Sequence, residues 1–422
     1  MSDYDAPAAY SLFACHECGL LHHAHPVNEG EVARCSRCGA RFYRRRRNSI
    51  QRALALSFAS LVLFALANGF TFMTFKLEGR ESSNILASGV AELYDQGLLP
   101  LAILVAMVAI IIPLIKILGT LYVVLPLHLG WRPPFAGAVF RWVEVLHPWA
   151  MMEVYMLGVL VAYVKLVDMA TIELGISLYS FAVLIVVMAA TDAALEPHAV
   201  WERLRKSTGA PPPAVADRDS LVGCHACDLV CRVRPSEPLS HAVCPRCGAH
   251  LHRRKANSLT RTAALVMTAA ILYIPANVFP VMTVISFGKG APDTILSGIK
   301  ELIHADMWPL ALLVFFASIT VPVLKLIGLS YLLISVKIGS RWRLKDRTRM
   351  YRIIEGIGRW SMIDIFMISI LIALVKLDAI ATIEPGVGAI AFAGVVVITM
   401  FASICFDPRL MWDAAGANRD GH

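Results

Sequence analysis

The chain contains 422 residues, of which 57% are hydrophobic and only 17% are charged. Its mean hydropathy is +0.63. These values exclude an ordinary soluble globular domain and indicate an integral membrane protein. The formal net charge is +8, but the basic residues cluster beside apolar segments, where membrane topology requires them, so we predict no nucleic-acid partner.

The first predicted element is a metal-binding domain built from two CxxC pairs separated by sixteen residues. The same arrangement returns 209 positions later in the chain. This spacing is typical of a structural zinc site, in which four thiolates surround one ion tetrahedrally. We therefore predict two structural zinc ions, held by Cys15, Cys18, Cys35 and Cys38, and by Cys224, Cys227, Cys244 and Cys247.

Two other interpretations of the cysteines stay open. The segment CPRCG from Cys244 to Gly248 also suits a rubredoxin-like iron site. Two disulfides per repeat would require an oxidising compartment. No signal-peptide pattern precedes Cys15, so we expect the cysteines to stay in a reducing compartment, where zinc is favoured over disulfides.

Eight apolar segments are long enough to be membrane-spanning helices. The segment from Ala53 to Phe75, for example, carries no charge over 23 residues, and about 20 apolar residues suffice to cross a hydrocarbon core. Interpreting the other segments in the same way predicts spans at approximately 50–73, 97–125, 146–166, 174–194, 259–284, 307–336, 357–377 and 386–405.

The duplication extends through the membrane part, because residues of the first half recur at +209 and, after a two-residue insertion, at +211. We therefore predict an all-α polytopic protein whose halves each contain one four-cysteine zinc-ribbon-like domain and four helices, related as parallel repeats. The predicted boundaries are a first ribbon at 1–47, a first helical unit at 48–204, a linker at 205–222, a second ribbon at 223–256, a second helical unit at 257–412 and a tail at 413–422.

Charge asymmetry predicts the orientation in the membrane. Basic runs at 41–52, 253–261 and 337–359 fall on one side of the predicted spans, and loops of mixed charge fall on the other. The positive-inside rule places the basic side in the cytoplasm. Both ribbons and both termini are then expected to be cytoplasmic.

Charged residues inside the apolar spans are the candidates for function, because burying a charge in a membrane is costly. Lys325 lies three residues after a proline, and Asp364 in the seventh span is its expected partner. The first-half counterparts Lys116 and Glu153 are expected to form the same pair. The complete candidate polar site is Lys325, Asp364, Lys376, Thr399, Asn277 and Glu384, with first-half counterparts Lys116, Glu153, Lys165 and Asn68.

A structural interpretation of the same residues also stays open. Long lysine side chains can extend towards the membrane surface, and buried amides can hold helices together by hydrogen bonds. The first half has Met188 at the position of Thr399. The second half therefore keeps the more polar interior, and we expect the working site there.

The sequence resembles the paraquat-inducible protein A family, which includes lipophilic envelope-spanning A members. The resemblance rests on the paired CxxC knuckles, the Asn-Ser entry to the first helix of each half, the Ala-Asn near its end, the PxxK of the second helix and the Thr-Ile-Glu after the third. It implies a multi-pass protein of the bacterial inner membrane that moves phospholipids together with a periplasmic MCE-domain tunnel protein. It also implies cytoplasmic zinc ribbons.

Two functions compete at this stage. The first is a lipid-handling transport subunit, and the second is a membrane-anchored redox or metal-responsive protein of the paraquat stress response. No Walker A, GxGxxG, nucleophile elbow or HExxH motif occurs in the chain, so we predict no enzymatic activity and no ATP hydrolysis.

Overall fold

The computed structural model describes residues 12–23, 27–77, 80–166, 171–204, 221–233, 242–286, 289–304, 306–374 and 381–416. This part of the chain forms two small ribbons and two mainly helical membrane units, in the order ribbon, unit, ribbon, unit. The repeat inferred from the cysteine spacing is therefore also a repeat of structure.

The first ribbon consists of two short antiparallel hairpins that carry the CxxC pairs in their turns. The hairpins are β1 (Leu12–Ala14) with β2 (Leu21–His23), and β3 (Val32–Arg34) with β4 (Arg41–Arg44). Gly19 and Gly39 follow the two pairs with φ of 73° and 72°, a conformation that glycine adopts without strain. Their backbone N–H groups donate to the carbonyls of Cys15 and Cys35, which closes each turn.

The first membrane unit follows directly. Its elements are α1 (Ser49–Gly69), β5 (Met73–Leu77), β6 (Arg80–Asn84), α2 (Ser88–Asp95), α3 (Leu99–Ala106), α4 (Ile112–His128), α5 (Ala136–Leu146), α6 (Met152–Leu166), β7 (Thr171–Leu174), α7 (Ile176–Ala194) and α8 (Pro197–Leu204). Helices α3 and α4 form one continuous rod, because a π-helical turn at Met107–Ile111 joins them. The turn precedes Pro113, whose missing N–H and bulky ring disturb the regular α-helical hydrogen bonds.

The second ribbon and second membrane unit repeat this order. The elements are β8 (Leu221–Gly223), β9 (Val230–Arg232), α9 (Ser258–Val278), β10 (Met282–Ser286), β11 (Lys289–Asp293), α10 (Ile295–His304), α11 (Trp308–Phe315), α12 (Val321–Lys337), α13 (Leu344–Ile357), α14 (Ile363–Leu374), β12 (Ala381–Pro385), α15 (Val387–Cys405) and α16 (Arg409–Ala414). A π-helical turn at Phe316–Thr320 again precedes the proline, here Pro322.

A three-stranded antiparallel sheet lies at the end of each unit that is opposite to the ribbons. Strand β5 pairs with β6 and β7 in the first unit, and β10 pairs with β11 and β12 in the second. The Thr-Ile-Glu motif forms the strands β7 and β12. The all-α prediction lacked these sheets, because Met73–Leu77 and Met282–Ser286 follow α1 and α9 so closely that the predicted first and fifth spans ran into them. We call the two ends of the molecule the ribbon side and the sheet side.

Seven helical segments of the described chain are long and apolar enough to cross a membrane. They are Ser49–Gly69, Leu99–His128, Ala136–Val164, Ile176–Ala194, Ser258–Val278, Trp308–Lys337 and Val387–Cys405. The predicted span at 357–377 corresponds to α14, of which twelve helical residues are described, while residues 375–380 lie outside the described chain. Its membrane crossing stays a prediction.

The two units meet mainly through α6 and α14. Gly158 in α6 lies so close to α14 that an added Cβ atom would be 2.8 Å from Cβ of Phe366. The ring centroid of Phe366 is 5.3 Å from that of Tyr155. Trp149 lies just before α6, and its ring centroid is 5.2 Å from that of Phe401 in α15. Close helix packing at small residues, which is common in membranes, therefore joins the halves.

Candidate functional site

Two clusters of four buried cysteines lie in the ribbons, as predicted from the sequence. Within each cluster the four Sγ atoms are all within 4.8 Å of one another. Two pairs in each cluster are 3.5 Å apart, namely Cys15–Cys38, Cys18–Cys35, Cys224–Cys247 and Cys227–Cys244. A tetrahedral ion bound at about 2.3 Å from each sulfur requires sulfur–sulfur distances of about 3.8 Å. Both clusters can therefore hold a metal ion without rearrangement.

The first ribbon packs against the second membrane unit. Arg352 of α13 donates to both carboxylate oxygens of Glu17, at 2.7 and 2.8 Å, and to the carbonyl of Cys38 at 3.0 Å. Arg37 lies 5.7 Å over the ring of Trp412 in α16. The cysteines of this ribbon share an apolar cluster with Tyr351 and with residues of α12. The opposite face of the first ribbon packs against the first membrane unit. There the rings of Phe13 and Tyr43 contact the ring of His198.

The second ribbon makes the equivalent contacts with the first membrane unit. Arg141 of α5 donates to the carbonyl of Cys247 at 3.3 Å, and Arg246 lies 5.7 Å over the ring of Trp201 in α8. Gly137 allows the closest approach, because an added Cβ atom would be 2.5 Å from the carbonyl oxygen of Arg246. Each four-cysteine ribbon therefore connects the two halves of the molecule at the ribbon side.

The ribbons also contact each other. Nε2 of His16 lies 2.5 Å from a carboxylate oxygen of Asp228, and this carboxylate raises the pKa of His16. Gly223 packs on Ala14, whose Cβ atom would be 2.7 Å from a Cβ added at Gly223. Nε2 of His22 is 3.2 Å from Sγ of Cys35, a distance at which an imidazole N–H stabilises a thiolate. His22 therefore borders the cysteine cluster of the first ribbon.

In the second unit, Lys325 is buried in the membrane-spanning part, with only 2% of its surface exposed. Its Nζ atom donates to Oγ1 of Thr399 in α15 at 3.1 Å, and that hydroxyl donates to the carbonyl of Val396. The ammonium group also rests on Gly358, where an added Cβ atom would be 2.8 Å from Nζ. The structure thus brings together Lys325 and Thr399, two of the predicted residues.

In the first unit, the equivalent Lys116 has partners that the sequence prediction missed. Its Nζ atom donates to Oδ2 of Asp192 at 2.7 Å and is 3.0 Å from Nδ1 of His147. These described contacts replace the expected pair with Glu153. The prediction missed Asp192 and His147 because it searched for charges kept in both halves, and at +211 the second half has Ser403 and Gly358.

The other predicted polar residues fall into two groups. Asn68 and Asn277 are partly buried and donate to the carbonyls four residues before them, Phe64 and Tyr273, at 2.9 and 2.8 Å. This contact is local within the helix. The side chains of Lys165, Asp364 and Glu384, and the whole of Lys376, lie outside the described part of the structure, so their place in a site stays a prediction.

A small apolar cavity, open on one side, lies in the second unit near the sheet side. Methionine and aliphatic side chains dominate its wall, and Asp293 and Thr294 add polar groups. Met367 and Ile368 contribute from α14, one turn beyond the position of Asp364. Its apolar wall and few polar groups have the composition of sites for apolar ligands with one polar end.

The fold and these sites define a class of protein, a duplicated multi-pass membrane protein in which two four-cysteine ribbons cap paired helical units. The family model for paraquat-inducible protein A matches residues 50–205 and 259–416. The chain therefore belongs to the paraquat-inducible protein A family.

Similar proteins from two bacteria support the assignment. The chain is 32% identical over 410 residues to "Intermembrane transport protein PqiA" of Escherichia coli K12, which covers 94% of this chain and 95% of the relative. It is 32% identical over 403 residues to "Lipophilic envelope-spanning tunnel protein A" of the same strain, covering 95% and 91%. A "Probable intermembrane transport protein" of Haemophilus influenzae is 25% identical over 407 residues, covering 96% of each. No solved structure matches the chain.

Proposed function

We propose that this protein is the inner-membrane subunit of an MCE-type lipid transport system, and that it passes phospholipid to or from a periplasmic MCE-domain tunnel protein. The observation that carries the proposal is the buried Lys325 with its Thr399 partner, in the same unit as the apolar cavity. A cationic group and an apolar cavity are what the two ends of a phospholipid require. The names of the relatives, which refer to intermembrane transport and to an envelope-spanning tunnel, point the same way.

The orientation follows from charge. The ribbon side carries the basic runs, including the exposed Arg341, Arg343 and Lys345 before and within α13. The positive-inside rule places this side, with both ribbons and both termini, in the cytoplasm. The sheet side then faces the periplasm, where it would meet the tunnel protein. In this arrangement the protein has eight spans.

The metal clusters serve structure in this proposal. We assign one zinc ion to each cluster, since a reducing cytoplasm keeps four thiolates available for it. Zinc also agrees with the place of the clusters, because both lie in interfaces between the halves and a shell of four cysteines leaves no open coordination position. No catalytic step is assigned to the protein.

A membrane-anchored sensor is the second candidate, and the exposed position of His16 and Asp228 between the ribbons is the observation that favours it. A sensor has no use for a buried lysine, however. Burying an unneeded ammonium group in the membrane is costly, which favours transport.

Lipid crosslinking tests the proposal. A photo-reactive amino acid is placed at Met367 in the cavity and, as the matched control, at Met156, the equivalent position of α6. Irradiation of whole membranes should attach phospholipid to position 367 at least several-fold more than to position 156. Equal labelling of both positions, or none at 367, would contradict a lipid site in the second unit.

A further inference from the structure

Three titratable side chains converge in the first unit near its ribbon side. Lys116 is 7% exposed, whereas the side chains of Asp192 and His147 are 33% and 50% exposed. The ammonium group is within hydrogen-bond distance of both partners, and Nδ1 of His147 is 3.7 Å from the same carboxylate oxygen of Asp192. The cluster therefore runs from an exposed imidazole to a buried ammonium group.

A small polar cavity adjoins the cluster. Ser57, Ser60, Thr120 and Asp192 contribute to its wall beside Lys116. Ser57 is 1% exposed, and within the described part of the chain its buried hydroxyl has no hydrogen-bond partner. The hydroxyls of Ser60 and Thr120 donate to helix carbonyls and so leave their lone pairs available. A buried polar space with several such partners is suited to water.

We propose that this cluster is a proton-binding site of the first unit. A lysine ammonium group can only donate hydrogen bonds, so Nδ1 of His147 must accept, which makes the ring neutral with its proton on Nε2. A proton arriving from water binds at Nδ1, the atom that faces Lys116. The Lys116–His147 hydrogen bond then becomes a contact between two cations that share the single carboxylate of Asp192.

Two acidic residues, Glu144 and Glu153, are close to His147 in the sequence. Glu144, one turn before His147, accepts a hydrogen bond from the indole N–H of Trp201 at 3.3 Å. Glu153 follows on α6 and has an interaction of its own. Helix α1 contributes only the hydroxyls of Ser57 and Ser60 to the cavity. Lys116 and Asp192 are in direct contact with His147, which also has a further interaction. A proton at Nδ1 therefore adds one positive charge beside the ammonium group of Lys116.

The position of His147 connects proton binding to the interface between the units. His147 begins the 3-10 turn His147–Trp149, which joins α5 to α6. Helix α5 holds the second ribbon through Arg141, and Trp149 contacts Phe401 of the second unit. A displacement of this turn is therefore passed to the contact between α6 and α14, and α14 lines the second-unit cavity.

The second unit has no equivalent of this site, because Gly358 and Ser403 replace the histidine and the aspartate. The duplication thus gave the two lysines different chemistry. The first lysine belongs to a cluster of titratable groups near the ribbon side, and the second donates to a threonine hydroxyl. The inference does not depend on which lipid, if any, the second unit carries.

Solid-state NMR of protein labelled with ¹⁵N-histidine, in phospholipid bilayers, tests the proposal directly. The signal of His147 is identified by its loss in His147→Gln. It should change from the neutral Nε2–H form to imidazolium between about pH 8.5 and pH 5, with a midpoint that moves by about one pH unit or more in Asp192→Asn and in Lys116→Gln. A ring that stays neutral throughout, or a midpoint that neither variant moves, would overturn the site.

A second readout tests the link to the interface. Fluorotryptophan at position 149, identified by Trp149→Phe, should change its ¹⁹F shift over the same pH range as the His147 signal. The change should disappear in His147→Gln and persist in His128→Gln, which replaces an exposed histidine at the end of α4. A pH response that survives His147→Gln would contradict the proposed link.

Discussion

Lys116 and Lys325 occupy the same position of the repeat but reach partners one helical turn apart. Asp192 is at the position of Ser403, whereas Thr399 is at the position of Met188, four residues earlier. Four helical residues correspond to about 6 Å along the axis. The first lysine therefore extends towards the ribbon side, and the second stays deeper in its unit. A single ancestral lysine has acquired two environments through changes in its neighbours.

At Lys325 and Asp364, we expect loss of function without loss of protein. Lys325→Ala or Asp364→Asn should abolish restoration of the envelope permeability barrier in a bacterium that lacks its own members of this family. If these residues serve transport, immunoblots should show nearly normal abundance. Removal of one member of a purely structural buried pair costs about 3–5 kcal/mol, so a defect explained fully by depleted protein would favour a structural role. An equal defect from Glu153→Gln, the first-half counterpart of Asp364→Asn, would do the same.

Gly358 offers a sharper test of the same site. An added methyl group at this position would be 2.8 Å from Nζ of Lys325 and must displace the ammonium group from Thr399. Gly358→Ala should therefore impair barrier restoration while the protein still accumulates. Gly356→Ala is the matched control, because a Cβ atom there meets nothing within 4 Å. Similar activity of the two variants would show that the exact position of the lysine is unimportant.

At the scale of the elements, the helices and the metal knuckles could be predicted because their signals are local. A run of apolar residues identifies α1 wherever it packs, and CxxC spacing identifies a metal site from a few residues. The sheets could not be predicted in this way, since β5 and β10 are five residues long and continue an apolar run. The contact of each ribbon with the opposite unit is a tertiary relation that no local pattern contains.

Arg352 tests whether the first ribbon is fixed to the second unit by its observed contacts. Arg352→Ala removes the hydrogen bonds to Glu17 and to the carbonyl of Cys38, so the metal-loaded protein should unfold at a lower temperature. Arg349→Ala, an exposed position on the same helix, should leave the unfolding temperature unchanged. A fluorescence-based melting curve in detergent measures both. Equal melting temperatures would mean that the ribbon contact adds little stability.

Metal content gives the corresponding test for the clusters. Purified protein should contain about two zinc ions per chain, because each set of four cysteines forms one complete tetrahedral shell. Cys35→Ser or Cys244→Ser should lower the abundance of the protein more than its activity per molecule, since metal binding supplies folding free energy. Elemental analysis that finds iron, or fewer than one metal per chain, would refute the assignment.

At the scale of the whole molecule, the repeats are parallel because both ribbons lie on one side and both sheets on the other. This arrangement places the two buried lysines at equivalent positions of their units, although their partners differ. The ribbons then join the halves at one end, and the close packing at Gly158 joins them within the membrane. These two connections are the described contacts through which the proposed change at His147 would reach the second unit.

The orientation of this assembly can be measured by cysteine accessibility in intact cells. A membrane-impermeant thiol reagent should label cysteines introduced at Ser82 and Lys289, which lie on the sheet side, because this side faces the periplasm. It should label a cysteine at Arg343 only after the inner membrane is opened, because the basic segment before α13 lies on the ribbon side. All three positions precede α14, so the expected pattern rests on the six spans that end with α12. Labelling of position 343 in intact cells would contradict both the orientation and the number of spans.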